Sequence, residues 1–188
     1  GLVVSHRDEK NRKTLFDRIK NKLPRVMSVG RLDIDSEGMI LLTNDGRLAR
    51  HLELPSTGWT RKYRVRIYGR IEKRQLETLK DGITIDGIHY GSLLARLDKQ
   101  MTSNAWLTIA IKEGKNREIR RVMEYLGYSV SRLIRTSYGP FQLGNMKEDD
   151  LKEVKQVVLR EQLGQAVKKE KKPSISSSKK KIVSERHN

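Results

Sequence analysis

Residues 62–68 constrain the fold more than any other stretch. Tyr63, Val65 and Ile67 alternate with Lys62, Arg64, Arg66 and Tyr68. A period of two puts the first set on one side of an extended chain and the second on the other. The segment therefore reads as a half-buried strand with a basic face. Two further short runs, 83–85 and 88–90, flank Asp86-Gly87, a dipeptide that suits the left-handed turn of a hairpin. Residues 2–5, 27–32, 39–44 and 106–111 also read as strands, and 131–135 carries two arginines on another.

Helical spacing falls between these strands. Leu15, Phe16 and Ile19 suggest a short helix, Asp45 can cap one running through His51, and residues 72–79 make another. In 116–126, Ile119, Val122, Met123 and Leu126 recur at i, i+3, i+4 and i+7, with Gly127 placed to end the helix. Leu151, Val154 and Val158 form a stripe behind the acids 148–150, which suit a helix N-terminus. Hairpin-joined strands with irregularly interspersed helices indicate an α+β domain.

Charge decides the partner. The 188 residues hold 40 Lys or Arg against 23 Asp or Glu, a formal +17. A surplus of that size points to a polyanion, most often nucleic acid. From 165 to 188 there are eight basic residues against two acidic ones, with Pro173, four serines at 174–178 and few apolar residues. That composition predicts a disordered basic tail. The expected division is a catalytic or binding domain over 1–164 and a tail over 165–188, and 1–164 is basic without the tail. There are no cysteines, which removes disulfides, thiolate nucleophiles and cysteine-ligated zinc. No apolar run approaches the roughly 20 residues that cross a bilayer, and no secretory signal is visible. A soluble, cytoplasmic, monomeric protein is expected, without a membrane partner.

Two segments could carry chemistry. In Gly30-Arg31-Leu32-Asp33-Ile34-Asp35-Ser36-Glu37-Gly38, three carboxylates alternate beside an arginine. Their spacing partly matches a calcium loop, but Asn44 occupies the place of the bidentate glutamate. A polar turn with incidental acids is the plainer alternative. In residues 112–121 five cations cluster where a glycine-containing loop opens a helix, a setting that suits phosphate. An ordinary solvated helix face, with pairs such as Arg120 and Glu124, would look the same.

Together these residues resemble a known family. Gly30-Arg31-Leu32-Asp33, Ser36-Glu37-Gly38 and 41–46 (Leu-Leu-Thr-Asn-Asp-Gly) are similar to the catalytic motif of RsuA-type pseudouridine synthases. Arg61-Lys62-Tyr63 is similar to the second motif; 113–121 and 132–135 are similar to the third region, and 1–5 to the start of the catalytic domain. The wording of 116–121 and the Lys-rich tail resemble the RluB-type branch, which modifies large-subunit ribosomal RNA. The family usually carries an N-terminal S4 RNA-binding domain, which would precede Gly1.

The resemblance implies a pseudouridine synthase fold, a mixed and mainly antiparallel sheet with flanking helices and a central RNA-binding cleft. It implies an isomerase that needs no cofactor or metal and acts on ribosomal RNA, 23S in the RluB-type branch, either naked or in an assembly intermediate. Asp33 is then the catalytic carboxylate, with Asp35 and Glu37 as internal alternatives. Arg120 is its basic partner, with Arg117 as the second choice. Tyr63 stacks on the target base, although its place beside Val65 and Ile67 equally fits a core tyrosine. Extruding the base from its stack calls for a planar group to fill the gap, and Arg31 is the candidate; a salt bridge to Asp33 or Asp35 is its other reading. Arg64, Arg66, Lys115, Asn116, Arg117 and Arg132 are expected to contact RNA. A non-catalytic RNA-binding or ribosome-assembly protein would explain the charge as well, but not the acid-rich loop within it.

Overall fold

The computed structural model describes residues 2–5, 8 and 10–163. The expected tail, 165–188, lies outside the described residues. The chain divides into two compact units, Gly1–Asp150 and Leu151–Asn188.

A six-stranded sheet organises the first unit. Strand β4 (Arg61–Tyr68) lies at its centre between β8 (Asn104–Ile111) and β9 (Val130–Tyr138). Outside β8 runs β7 (Leu94–Gln100), and outside β9 lies β10 (Phe141–Gln142). All these neighbours are antiparallel. The two-residue β2 (Glu37–Gly38) joins β9 in parallel. The α+β class and the mixed, mainly antiparallel sheet are as expected. Strands β1 (Met27–Val29) and β3 (Leu41–Thr43) form a separate antiparallel pair. So do β5 (Ile83–Ile85) and β6 (Ile88–Tyr90), turning at Asp86 and Gly87, both at positive φ. Residues 2–5 contribute only an isolated bridge, Val3 to Thr14.

The alternation in β4 sets which face is covered. Tyr63, Val65 and Ile67 point inward, while Lys62, Arg64 and Tyr68 are exposed and Arg66 is half-buried. Against the inward face pack Ile119, Val122 and Met123 of α4 (Glu118–Tyr125), Leu76 of α3 (Lys73–Glu77) and Leu79. Val65, Leu107 and Ile109 lose all solvent contact, each such side chain stabilising the fold by about 1.5–3 kcal/mol.

Local caps fix the remaining helices. Thr14 and Asp17 form a reciprocal capping box on α1 (Leu15–Ile19). Asp45 accepts the amides of Arg47 and Leu48 at 2.8 and 3.2 Å, starting α2 (Gly46–Glu53).

One helix begins later than its pattern suggested. Helix α5 is Gln156–Leu163, and residues 151–155 are not helical. The acids 148–150 do other work: the Asp150 carboxylate accepts the Lys147 amide at 2.7 Å in a turn. Asp149 takes positive φ and pairs with Arg18. With its acids committed there, the chain has no N-terminal cap at 151. Among the described residues no helix is long and apolar enough to cross a membrane.

Candidate active site

The acidic loop is held at one end by the β1–β3 pair and at the other by the six-stranded sheet. Strand β1 stops at Gly30, whose φ is +67° and whose amide donates to Glu53 at 2.7 Å. A turn follows, with the Ser36 amide donating to the Asp33 carbonyl at 2.9 Å. The chain then enters β2 against β9. At Gly38 φ is +102°, and a Cβ would lie 2.3 Å from the Arg135 carbonyl oxygen. Only glycine permits that approach.

Arg135, 2% exposed, ties the loop from beneath. Its Nε donates to the Met39 carbonyl at 2.8 Å and a terminal nitrogen to the Arg31 carbonyl at 3.3 Å. One planar guanidinium thus grips both ends of the segment that carries Asp33.

The three carboxylates separate. Asp33 lines a cavity, and its nearest cation is Arg117 at 3.9 Å. Asp35 receives both terminal nitrogens of Arg117 at 3.2 Å, and Nε of Arg120 lies 3.3 Å from it. Arg120 also donates to the Asp35 carbonyl at 2.7 Å and the Val130 carbonyl at 3.0 Å. Partial burial pushes the Asp35 carboxyl up, but Arg117 and Arg120 together hold it below its ordinary range. Glu37 accepts a two-pronged bond from Arg132 at 2.7 and 2.8 Å, which holds it low as well. The acids therefore serve three different ends rather than one calcium loop. Among the described residues no group of three His, Cys, Asp or Glu side chains is arranged to share a metal.

The cavity has a volume of about 400 Å³, within the range of about 300–1,000 Å³ usual for small-molecule sites. Asp33, Tyr63, Arg31, Lys115, Asn116 and Arg117 all line it. Among the described residues Arg31 makes no ion pair with Asp33 or Asp35. Tyr63 is 9% exposed in the core, and it also borders the cavity. Arg120 is set differently from its expected place, on Asp35, and Arg117 is the guanidinium beside Asp33. Arg117 sits in the left-handed region at φ +52°, one residue before α4, an uncommon conformation for a side chain of its size. Arg64, Arg66 and Arg132 do not join the cavity. Arg64 and Arg66 extend from the opposite face of β4, and Arg132 stands directly across from Arg66 in β9.

Arg135, Arg61 and Glu118 also line the cavity; they lay within the quoted motifs but had been given no role of their own. Arg135 is described above. Arg61, 7% exposed, donates to the Lys112 carbonyl at 2.9 Å and to the Tyr138 hydroxyl at 2.8 Å. Tyr138 in turn donates to the Leu52 carbonyl at 2.8 Å. Both arginines fall in phase with apolar, inward-facing residues of their strands, and that phase was the available signal. Glu118, 3% exposed, accepts the Lys115 amide at 2.9 Å, and burial pushes its carboxyl up to about 7.

The arrangement combines one carboxylate, a nearby guanidinium and a tyrosine in a concave site rimmed by cations. It suits a planar, uncharged group carried on a polyanion. The model of the RNA pseudouridylate synthase family matches residues 1–125. An uncharacterized RNA pseudouridine synthase of Rickettsia conorii is 46% identical over 159 residues, covering 85% of this chain and 68% of that protein. Ribosomal large subunit pseudouridine synthase B of Pasteurella multocida is 37% identical over 171 residues, 87% of this chain and 49% of that protein. The chain thus spans about half of that relative's length. A crystal structure of a pseudouridylate synthase superposes with a TM-score of 0.71 at 24% identity, covering 87% of this chain and 70% of that one.

Proposed function

From the chain's membership of the RNA pseudouridine synthase family, we propose that it isomerises a uridine of large-subunit ribosomal RNA to pseudouridine, with Asp33 as the catalytic carboxylate. The observation that carries the assignment is the cavity itself: of the three loop acids, Asp33 alone lines it. Asp35 and Glu37 are already bound to arginines by hydrogen bonds.

The reaction breaks the N1–C1′ bond, turns the detached uracil and forms a C5–C1′ bond. C5 loses a proton and N1 gains one, so the atoms balance without an added reagent. Asp33 acts at the sugar or the base as nucleophile or base. Arg117, 3.9 Å away, stands beside it as the neighbouring cation. Tyr63 supports the flipped base, a contact worth roughly 1–3 kcal/mol. Arg31 fills the vacated stack, while Lys115 and Asn116 hold the adjoining backbone. The large-subunit substrate is supported by the named activity of the Pasteurella multocida relative.

Tritium release from 5-³H-uridine-labelled large-subunit RNA tests the reading. Asp33→Asn is expected to abolish release while RNA binding persists. Activity lost with Asp35→Asn but kept with Asp33→Asn would overturn the site. Release from no ribosomal RNA would favour a binding protein instead.

A further inference from the structure

The cations that the cavity leaves out share one surface. In an antiparallel sheet, residues directly opposite one another project to the same side. Arg66 stands between Arg132 of β9 and Trp106 of β8, and Trp106 faces Lys99 of β7. In the next row Arg64 faces Thr108, which faces Arg96, and beyond it Lys62 faces Ala110. Six cations from three strands therefore occupy the side away from α3 and α4.

Two of them are neutralised locally. Arg96 pairs with Asp98 at 2.9 Å, and Arg132 with Glu37 at 2.7 Å. Lys62, Arg64, Arg66 and Lys99 make no ion pair among the described residues, and Lys62, Arg64 and Lys99 are exposed. The guanidinium of Arg64 lies 4.6 Å above the Trp106 ring. This cation–π contact props the arginine upright and covers the ring, so the surface offers fixed positive charge rather than a stacking platform for a base.

We infer that this outer sheet face is a second RNA-binding surface, which holds the phosphate backbone of substrate RNA away from the reacting uridine and without reading sequence. It rests on the reading that the chain acts on RNA. Unpaired cations held at strand spacing on a stiff support are complementary to a polyphosphate chain. A line from cavity to outer face would need the RNA to pass around the sheet, which fits a large folded RNA better than a short stem.

The test uses the full chain and a fluorescein-labelled, mixed-sequence single-stranded RNA of about 40 nucleotides, long enough to reach beyond one site. Affinity is measured by anisotropy across a salt series. Each lost phosphate contact lowers the slope of log K against log salt by about 0.7. The variant Lys62→Gln/Arg64→Gln/Lys99→Gln is expected to lower it by about 2 and to weaken binding at 0.1 M salt on the order of 100-fold. A matched variant elsewhere, Lys20→Gln/Lys73→Gln/Lys80→Gln, removes the same charge and is expected to change the slope far less. An unchanged slope in the first variant, or an equal drop in both, refutes the inference. If Lys115→Gln/Arg117→Gln weakens binding while the outer-face variant does not, this inference falls and the proposed function stands. If the unaltered chain binds no RNA at low salt, the proposed function fails with it.

Discussion

Replacing Glu118 by glutamine isolates the electrostatic cost of one buried acid. One Glu118 oxygen accepts the Lys115 amide, and the other is buried without a hydrogen-bond partner. Glu113, nearby, is occupied by the Gly91 amide at 2.6 Å and the Lys115 ammonium. Burial, reinforced by the charge of Glu113, pushes the Glu118 carboxyl from 4.5 up to about 7. Between those values the folded chain keeps a proton that the unfolded chain has released. Stability therefore falls as pH rises through this window and stays lower above it. A shift of that size corresponds to about 3 kcal/mol. Glutamine carries no charge, still accepts the Lys115 amide and can donate to Glu113. The two proteins are thus expected to agree within about 1 kcal/mol at pH 5, with Glu118→Gln about 3 kcal/mol more stable at pH 8.5. Urea denaturation at both pH values reads this directly, as a midpoint shift of roughly 1–2 M at the higher pH. A difference that does not change with pH, or a wild type that is the more stable at pH 8.5, refutes the reasoning.

Other substitutions separate the roles of neighbouring residues. Arg135→Lys cannot bridge the Met39 and Arg31 carbonyls with a single ammonium; a loss of about 2–4 kcal/mol is expected in urea melts, with tritium release reduced alongside. Gly38→Ala would force a Cβ to 2.3 Å from a backbone oxygen at φ +102° and is expected to cost more than about 2 kcal/mol by the same measurement. Arg117→Ala is expected to lower kcat about 10–100-fold with little loss of stability. Arg120→Ala, which frees two carbonyls, is expected to lower the urea midpoint by an amount equal to about 1–3 kcal/mol.

Elements that carry their own pattern were legible in the sequence. The period of two in β4, the helical stripe of α4, the Asp45 cap and the Asp86-Gly87 turn each follow from residues within the element. Elements defined by their neighbours were not. Strand β7 was missed because only Ala95, Leu97 and Gln100 are partly covered, and a bulge between Leu97 and Lys99 breaks its alternation. Strand β2 is two residues long and has no period; it exists because Gly38 lets the chain approach β9. Arg61 and Arg135 fell within quoted motifs but were given no buried role, because an arginine is expected on a wet face, whereas buried carbonyls and Tyr138 satisfy these two. The position of Arg117 beside Asp33 depends on a left-handed residue ahead of α4, which no spacing rule indicates. The outer-face cations were visible as basic residues of a strand. Their separation from the cavity required knowing which side of the sheet α3 and α4 cover.

Strand β9 is bonded along both edges, to β4 on one side and to β10 and β2 on the other, and the Met39 amide donates to its Arg135 carbonyl at 2.9 Å. The loop that carries Asp33 is thereby part of the same cooperative unit as the centre of the sheet. Most surface loops open at little free-energy cost, independently of the scaffold that carries them. Here the Met39 amide should exchange with solvent only when β9 itself lets go. Fluctuations that fray the periphery would leave Asp33 in register, and heat would take the site and the sheet in one step.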